Sequence, residues 1–142
     1  MKKMTIPNEI LLEQASDLLS RGIEVVIMTK GNSMLPFIHG ERDSVNLKRK
    51  DTVEVGDIVL ARIAKGKYVL HRVFSIDGDS LVLMGDGNLQ GTESCARADV
   101  LGTVTEIISP DDRSRKPGKG RLWRRMLPVR RYLLWIYKRL SK

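Results

Sequence analysis

From Ser44 to Ile108 the chain breaks into short runs of strand-forming residues separated by turn residues, and this punctuation restricts the fold more than any other feature. Strands are predicted at Ser44–Leu47, Ile58–Ile63, Tyr68–Ile76, Ser80–Met84 and Val100–Ile108. The cuts fall at Gly56-Asp57, at Ala64-Lys65-Gly66-Lys67 and at Asp77-Gly78-Asp79, with residues 87–98 read as a loop. One further strand, Ile23 to Thr29, precedes this set. Ahead of it, Leu11, Ala15, Leu18 and Leu19 recur at helical spacing over residues 8–20, and Arg21-Gly22 closes the helix. The pattern predicts a mainly β domain with one N-terminal helix. No internal repeat is visible.

The strand ending at Thr29 delivers the segment Gly31-Asn32-Ser33-Met34-Leu35-Pro36-Phe37-Ile38. Gly31 permits a tight turn and Pro36 fixes the exit, so Ser33 sits on a constrained loop between apolar neighbours. On composition alone it is a turn serine. As a nucleophile it would need a neighbour to take its proton. His71 is the best base in the chain. By alternation it shares one strand face with Val69 and Val73, an apolar setting that equally suits a half-buried structural histidine. His39, in the polar turn Ile38-His39-Gly40-Glu41, reads as a solvated loop histidine.

The ordered blocks around these residues resemble a known family. Gly31-x-Ser33-Met34-x-Pro36, then Arg42-Asp43-Ser44-Val45 and Val55-Gly56-Asp57-Ile58-Val59, are similar to the signal peptidase I superfamily of serine peptidases. That clan also includes the self-cleaving SOS repressors. In Val69-Leu70-His71-Arg72-Val73 a histidine stands where bacterial signal peptidases and the repressors carry a lysine, as in the endoplasmic-reticulum and archaeal type. Gly85-Asp86-Gly87-Asn88 resembles that type's Gly-Asp-Asn-Asn segment, and Leu101-Gly102-Thr103-Val104 its closing strand. The resemblance spans residues 23 to 108 and implies coiled antiparallel sheets or a partly open barrel.

It further implies a dyad of Ser33 and His71, with acyl-enzyme hydrolysis of an extended peptide. Asp86 matches the family's first acid and is either a third catalytic member or a turn residue between Gly85 and Gly87. The type's second aspartate is absent: Thr92 and Glu93 stand near that place, and Glu93 and Asp99 are weaker candidates. The Ser33 amide is implied as an oxyanion donor, with Asn32 replacing the hydroxyl that many relatives carry where Gly31 stands, and Met34 flanking the substrate.

Composition limits the rest. The 142 residues are 42% apolar and 30% charged, which fits one globular domain with an appendage. Residues 1–112 carry 13 Lys/Arg against all 17 Asp/Glu, whereas residues 113–142 carry 12 Lys/Arg and no acid. The positive charge therefore belongs to the tail. Three parts are expected: an N-terminal helix (1–22), the peptidase-like domain (23–109), and a basic linker with an amphipathic tail (110–142).

In the tail, Val129, Tyr132, Leu133, Ile136 and Leu140 fall on one helical face, with Arg131 and Lys138 opposite. With Trp123, Tyr132 and Trp135 as interfacial rings, this predicts peripheral contact with an anionic membrane, docking on the acidic domain being the other reading. Nucleic acid ranks third. The start of the chain has no apolar run for a signal peptide and no stretch spans a bilayer, so the expected location is cytoplasmic, at most peripheral to the inner membrane face.

Cys95 is the only cysteine, set as an inert thiol. Two separated histidines and one cysteine make no metal-ligand set, and Gly85-Asp86-Gly87-Asn88 lacks the lysine and helix of a phosphate loop, so no cofactor is expected. The sequence thus predicts a serine endopeptidase acting on a peptide or protein precursor. Its rivals are a catalytically silent peptide- or nucleic-acid-binding module on the same fold, and a self-cleaving regulator. Against the regulator stand the absence of a recognisable DNA-reading helix-turn-helix and the histidine at position 71.

Overall fold

Alternating apolar residues at Val25, Ile27, Val45 and Leu47 begin one face of a single large sheet, packed beneath a short helix. The computed structural model describes residues 3–6, 12–29, 34–40, 42–65, 67–87, 91–120 and 130–140. Its strands are β1 (Lys3–Ile6), β2 (Glu24–Met28), β3 (Ser44–Lys48), β4 (Ile58–Ala64), β5 (Lys67–Asp77), β6 (Ser80–Met84), β7 (Glu93–Ala96), β8 (Val100–Ile108) and β9 (Ser114–Arg115). Helix α1 spans Leu12–Ser20 and helix α2 spans Arg130–Leu140.

The sheet order is β1-β2-β3-β8-β4-β5-β6-β7, with β9 added on β8. All pairings are antiparallel except β1 with β2, which run parallel. The fold is mainly β, as the sequence predicts, with an N-terminal and a C-terminal α-helix among the described residues, and the sheet does not close into a barrel.

The two faces hold separate cores. On one, Ala15 and Leu19 of α1 pack on Val25, Ile27, Val45, Leu47, Ile58, Leu60 and Val104, joined by Met34 and Ile38. α1 packs tightly over Gly102: a Cβ there would lie 3.0 Å from Leu19 Cδ1. On the other face Val59, Ala61, Val73, Leu81 and Leu83 form a smaller cluster. Burying aliphatic side chains of this size contributes roughly 1.5–3 kcal/mol each.

Every foreseen strand end lies within one residue of the observed one, and the bounds of β6 and β8 coincide. Three strands went unforeseen. β7 falls inside the stretch read as a loop, because Glu93-Ser94-Cys95-Ala96 has no strand-like run of apolar residues and becomes a strand by pairing with β6. β1 and β9 are edge strands of four and two residues, held by β2 and β8.

Beyond β8 the chain stays tied to the domain. Arg115 donates to the Phe37 carbonyl at 2.7 Å and reaches the Asp43 carboxylate at 3.2 Å. Lys119 forms ion pairs with Asp57 and Glu54. Helix α2 then packs Leu134 on Leu35, flanked by Leu133, Tyr137 and Phe37. Two stripes replace the single apolar face expected for this helix. The inner stripe is centred on Leu134, 3% exposed, while Trp135, Ile136 and Leu140 are 58%, 47% and 80% exposed. Trp123 and the side chain of Tyr132 lie outside the described residues.

Candidate active site

β2 is followed by Thr29, whose amide and hydroxyl both donate to the Asp43 carbonyl, at 3.1 and 2.8 Å. These bonds staple the two ends of the loop that carries the Gly31–Ile38 motif. Asp43 is fully buried and accepts from the His39 amide at 2.9 Å. Inside the loop, the amides of Phe37 and Ile38 donate to the Met34 carbonyl, so residues 34–38 form a compact turn. Ser33 and Asn32, the expected nucleophile and oxyanion donor, lie outside the described residues.

The residue after the serine is anchored. Met34 is buried in the helix-side core, and its Sδ accepts the Asp86 amide at 3.4 Å. Its side chain serves as a peg holding the serine loop to the turn after β6. His39 is not a solvated loop residue: it is partly buried beside Tyr137 of α2, ring centroids 5.9 Å apart.

His71 sits on β5 opposite Val59 of β4 and is 7% exposed. Strand alternation turns it toward the Val59–Val73 cluster, as the sequence predicts. Its Nδ1 lies 2.5 Å from Oε1 of Glu93 on β7. The pairing register explains how they meet: Val73 opposes Leu83 on β6, and Leu83 opposes Glu93 on β7. Two side chains 22 positions apart thus come to one face. An Nδ1–H donating to this carboxylate leaves Nε2 as the basic nitrogen of the neutral ring.

The neighbouring residue takes the other face. Arg72 is 1% exposed and grips Asp86 through Nε at 2.8 and 3.0 Å and through the second guanidinium nitrogen at 2.8 Å. It also donates to the Gly56 carbonyl at 2.7 Å and the Gly118 carbonyl at 2.9 Å, and lies 5.0 Å over the Phe37 ring. Gly120 has no Cβ because one would lie 2.8 Å from the guanidinium carbon. Asp86 thus forms a forked, desolvated ion pair with Arg72, and Glu93 is the carboxylate bonded to His71.

One more feature concerns an extended ligand. β6 pairs with β5 from Arg72 to Asp77, and among the described residues no strand pairs with that edge of β5 from Lys67 to His71. The open edge ends at the histidine.

No cluster of His, Cys, Asp or Glu among the described residues is arranged to hold a metal. Cys95 lies on β7, two residues from Glu93; burial, and secondarily Asp99, push its thiol above the ordinary range.

In the sequence His71 stands out as the base, while Glu93 is a weaker candidate acid than Asp86. The only sequence signal for Glu93 was an acid near the place where the related type carries its second aspartate.

Comparison with known proteins bears on this arrangement. No curated protein matches the chain. The family model described as Peptidase S24-like matches residues 5–105, a span that includes the serine loop, His71 and Glu93. By that match over most of its length, with a mainly antiparallel sheet and the serine-loop block as its frame, the chain belongs to the Peptidase S24-like family.

Proposed function

We propose that the protein is a serine endopeptidase in which Ser33 attacks the scissile carbonyl and His71 is the general base, with Glu93 rather than Asp86 orienting the imidazole. The observation that carries this reading is the 2.5 Å approach of Glu93 to His71 Nδ1. A carboxylate there fixes the tautomer with Nε2 basic and stabilises the imidazolium that forms as the Ser33 proton is taken. His71 then returns that proton to the leaving amine, and water releases the acyl group by the same steps. The serine loop is pegged through Met34 to the turn after β6. The unpaired edge of β5 suits an extended peptide or protein precursor added as a strand, main chain to main chain. A histidine base of this kind is the endoplasmic-reticulum and archaeal variant of the wider clan, set here in a chain whose described helices are too short or polar to cross a membrane.

Incubation with a peptidyl phosphonate or fluorophosphonate, followed by peptide mapping, tests the proposal. An adduct on Ser33 that is lost in His71→Gln supports it. An unmodified Ser33 under conditions that label other serine peptidases would leave a silent binding module on the same fold.

A further inference from the structure

The inner and outer stripes of α2 are both apolar, and among the described residues only the inner one packs on the domain. At 3.6 residues per turn, Trp135, Arg139, Ile136 and Leu140 span about 140° of the helix on the side opposite Leu134. Trp135, Ile136 and Leu140 are the exposed large apolar residues of this region. The Arg139 guanidinium lies 4.8 Å over the Trp135 ring, so the stripe pairs an aromatic face with a cation. The 11 residues of α2 include four Lys/Arg and no acid, and residues 113–142 as a whole have 12 and none. An apolar stripe of tryptophan, isoleucine and leucine on a helix whose charged residues are all cations matches an anionic lipid surface: the rings and aliphatic chains enter the interface, and the cations meet phosphate headgroups. An acidic protein groove would match the charge equally, but the stripe's large exposed residues Trp135, Ile136 and Leu140 offer little hydrogen bonding with which to specify a protein partner.

We propose that α2 binds an anionic bilayer through this outer stripe while its inner stripe remains docked on the serine loop. Leu134 packs on Leu35 and Tyr137 lies beside His39, so the helix rests on residues two and six positions beyond Ser33. The membrane-bound form is then the docked form. The helix is a rigid spacer that holds the turn at residues 34–38 one helix diameter, about 10 Å, above the lipid. It is not a tail that must leave the domain in order to bind. The inference stands apart from hydrolysis: Ser33→Ala should bind lipid as the unmodified chain does.

The test uses the full chain with vesicles of phosphatidylcholine alone and of equal parts phosphatidylcholine and phosphatidylglycerol. In a Trp123→Phe background Trp135 is the sole tryptophan. Its emission should shift to the blue with the anionic vesicles and be quenched by brominated acyl chains, but not with phosphatidylcholine alone. Trp135→Ser with Ile136→Ser and Leu140→Ser should weaken binding at least about tenfold. Arg139→Gln should weaken it about fivefold, and added salt should weaken it further.

The docked state is tested by tethering Leu35→Cys to Leu134→Cys in a Cys95→Ser background. The tethered and untethered forms should bind equally. Should that pair disturb folding, His39→Cys with Tyr137→Cys supplies a second tether. Loss of lipid binding on tethering overturns the proposal, as does binding insensitive to the outer-stripe variants. So does a chain that ignores anionic vesicles while binding single-stranded nucleic acid.

Discussion

His71 and Arg72 are adjacent on β5, point to opposite faces of the sheet, and each holds a different carboxylate: Glu93 for the histidine, Asp86 for the arginine. The alternation of a strand separates the pair proposed for catalysis from a buried ion pair, with a single peptide bond between them. The two acids therefore have distinguishable roles.

For the histidine pair, the expected loss is in turnover. His71→Gln keeps size and polarity without a base and should lower kcat/KM at least about 100-fold. Glu93→Gln should give a loss of about the same order, because an amide can present the wrong group to Nδ1 and reverse the tautomer. Both variants should retain the far-UV circular dichroism of the parent. Full activity in Glu93→Gln would remove the carboxylate from the mechanism.

For the arginine pair, stability is the expected casualty. Asp86→Asn strands a guanidinium that is 1% exposed and should cost about 3–5 kcal/mol in urea unfolding. Replacing both partners, Arg72→Met with Asp86→Leu, should recover much of that loss. Turnover per folded molecule should fall less in Asp86→Asn than in Glu93→Gln. The reverse ranking would return Asp86 to the catalytic set.

Lys119 gives a pH signature for the segment that follows β9. Burial pulls its ammonium down, but hydrogen bonds and attraction from Asp57, then Glu54, outweigh this and hold it above the ordinary value of 10.5. A lysine raised in the folded state contributes stability that is fully present below its ordinary value. That contribution is lost as pH rises through the folded value. The difference in urea midpoint between the parent and Lys119→Met should be largest at neutral pH and shrink in the alkaline range above 10.5. A difference that stays constant into alkali would show that Asp57 and Glu54 do not act on Lys119 in solution.

Cys95 should behave as a protected thiol. With burial first and Asp99 second pushing it upward, little thiolate forms near neutrality. Iodoacetamide should therefore modify the native protein more slowly than the same chain in urea at the same pH. Equal rates would mean that β7, which carries both Cys95 and Glu93, opens readily.

Much of this fold was legible because it is written locally. The β8 strand was read to the residue, Val100 to Ile108, from its unbroken strand-forming run. The hairpins around Lys65-Gly66 and Asp77-Gly78 followed from their turns. The face of His71 followed from alternation with Val69 and Val73. What was not legible depends on pairing between distant segments. Glu93 reaches His71 only through the registers of β5 with β6 and β6 with β7, and no local pattern encodes a register. Helix α2 was recognised as amphipathic, but the residues that meet the domain, Leu133, Leu134 and Tyr137, are set by the shape of the Leu35–Phe37 turn. Periodicity finds a helix; it does not choose between two usable faces.

The position of β8 has a consequence for how the chain is made. β3 and β4 follow one another in sequence yet do not pair; each is joined to β8, which arrives some forty residues later. Until that strand has left the ribosome, β1-β2-β3 and β4-β5-β6-β7 are two separate ribbons. The serine loop hangs from the first and the histidine with its glutamate from the second. A nascent chain stalled before Val100 therefore holds every residue proposed for catalysis and still has no sheet to unite them. Closure by a late central strand of high contact order delays assembly of the site until nearly the whole domain has been synthesised.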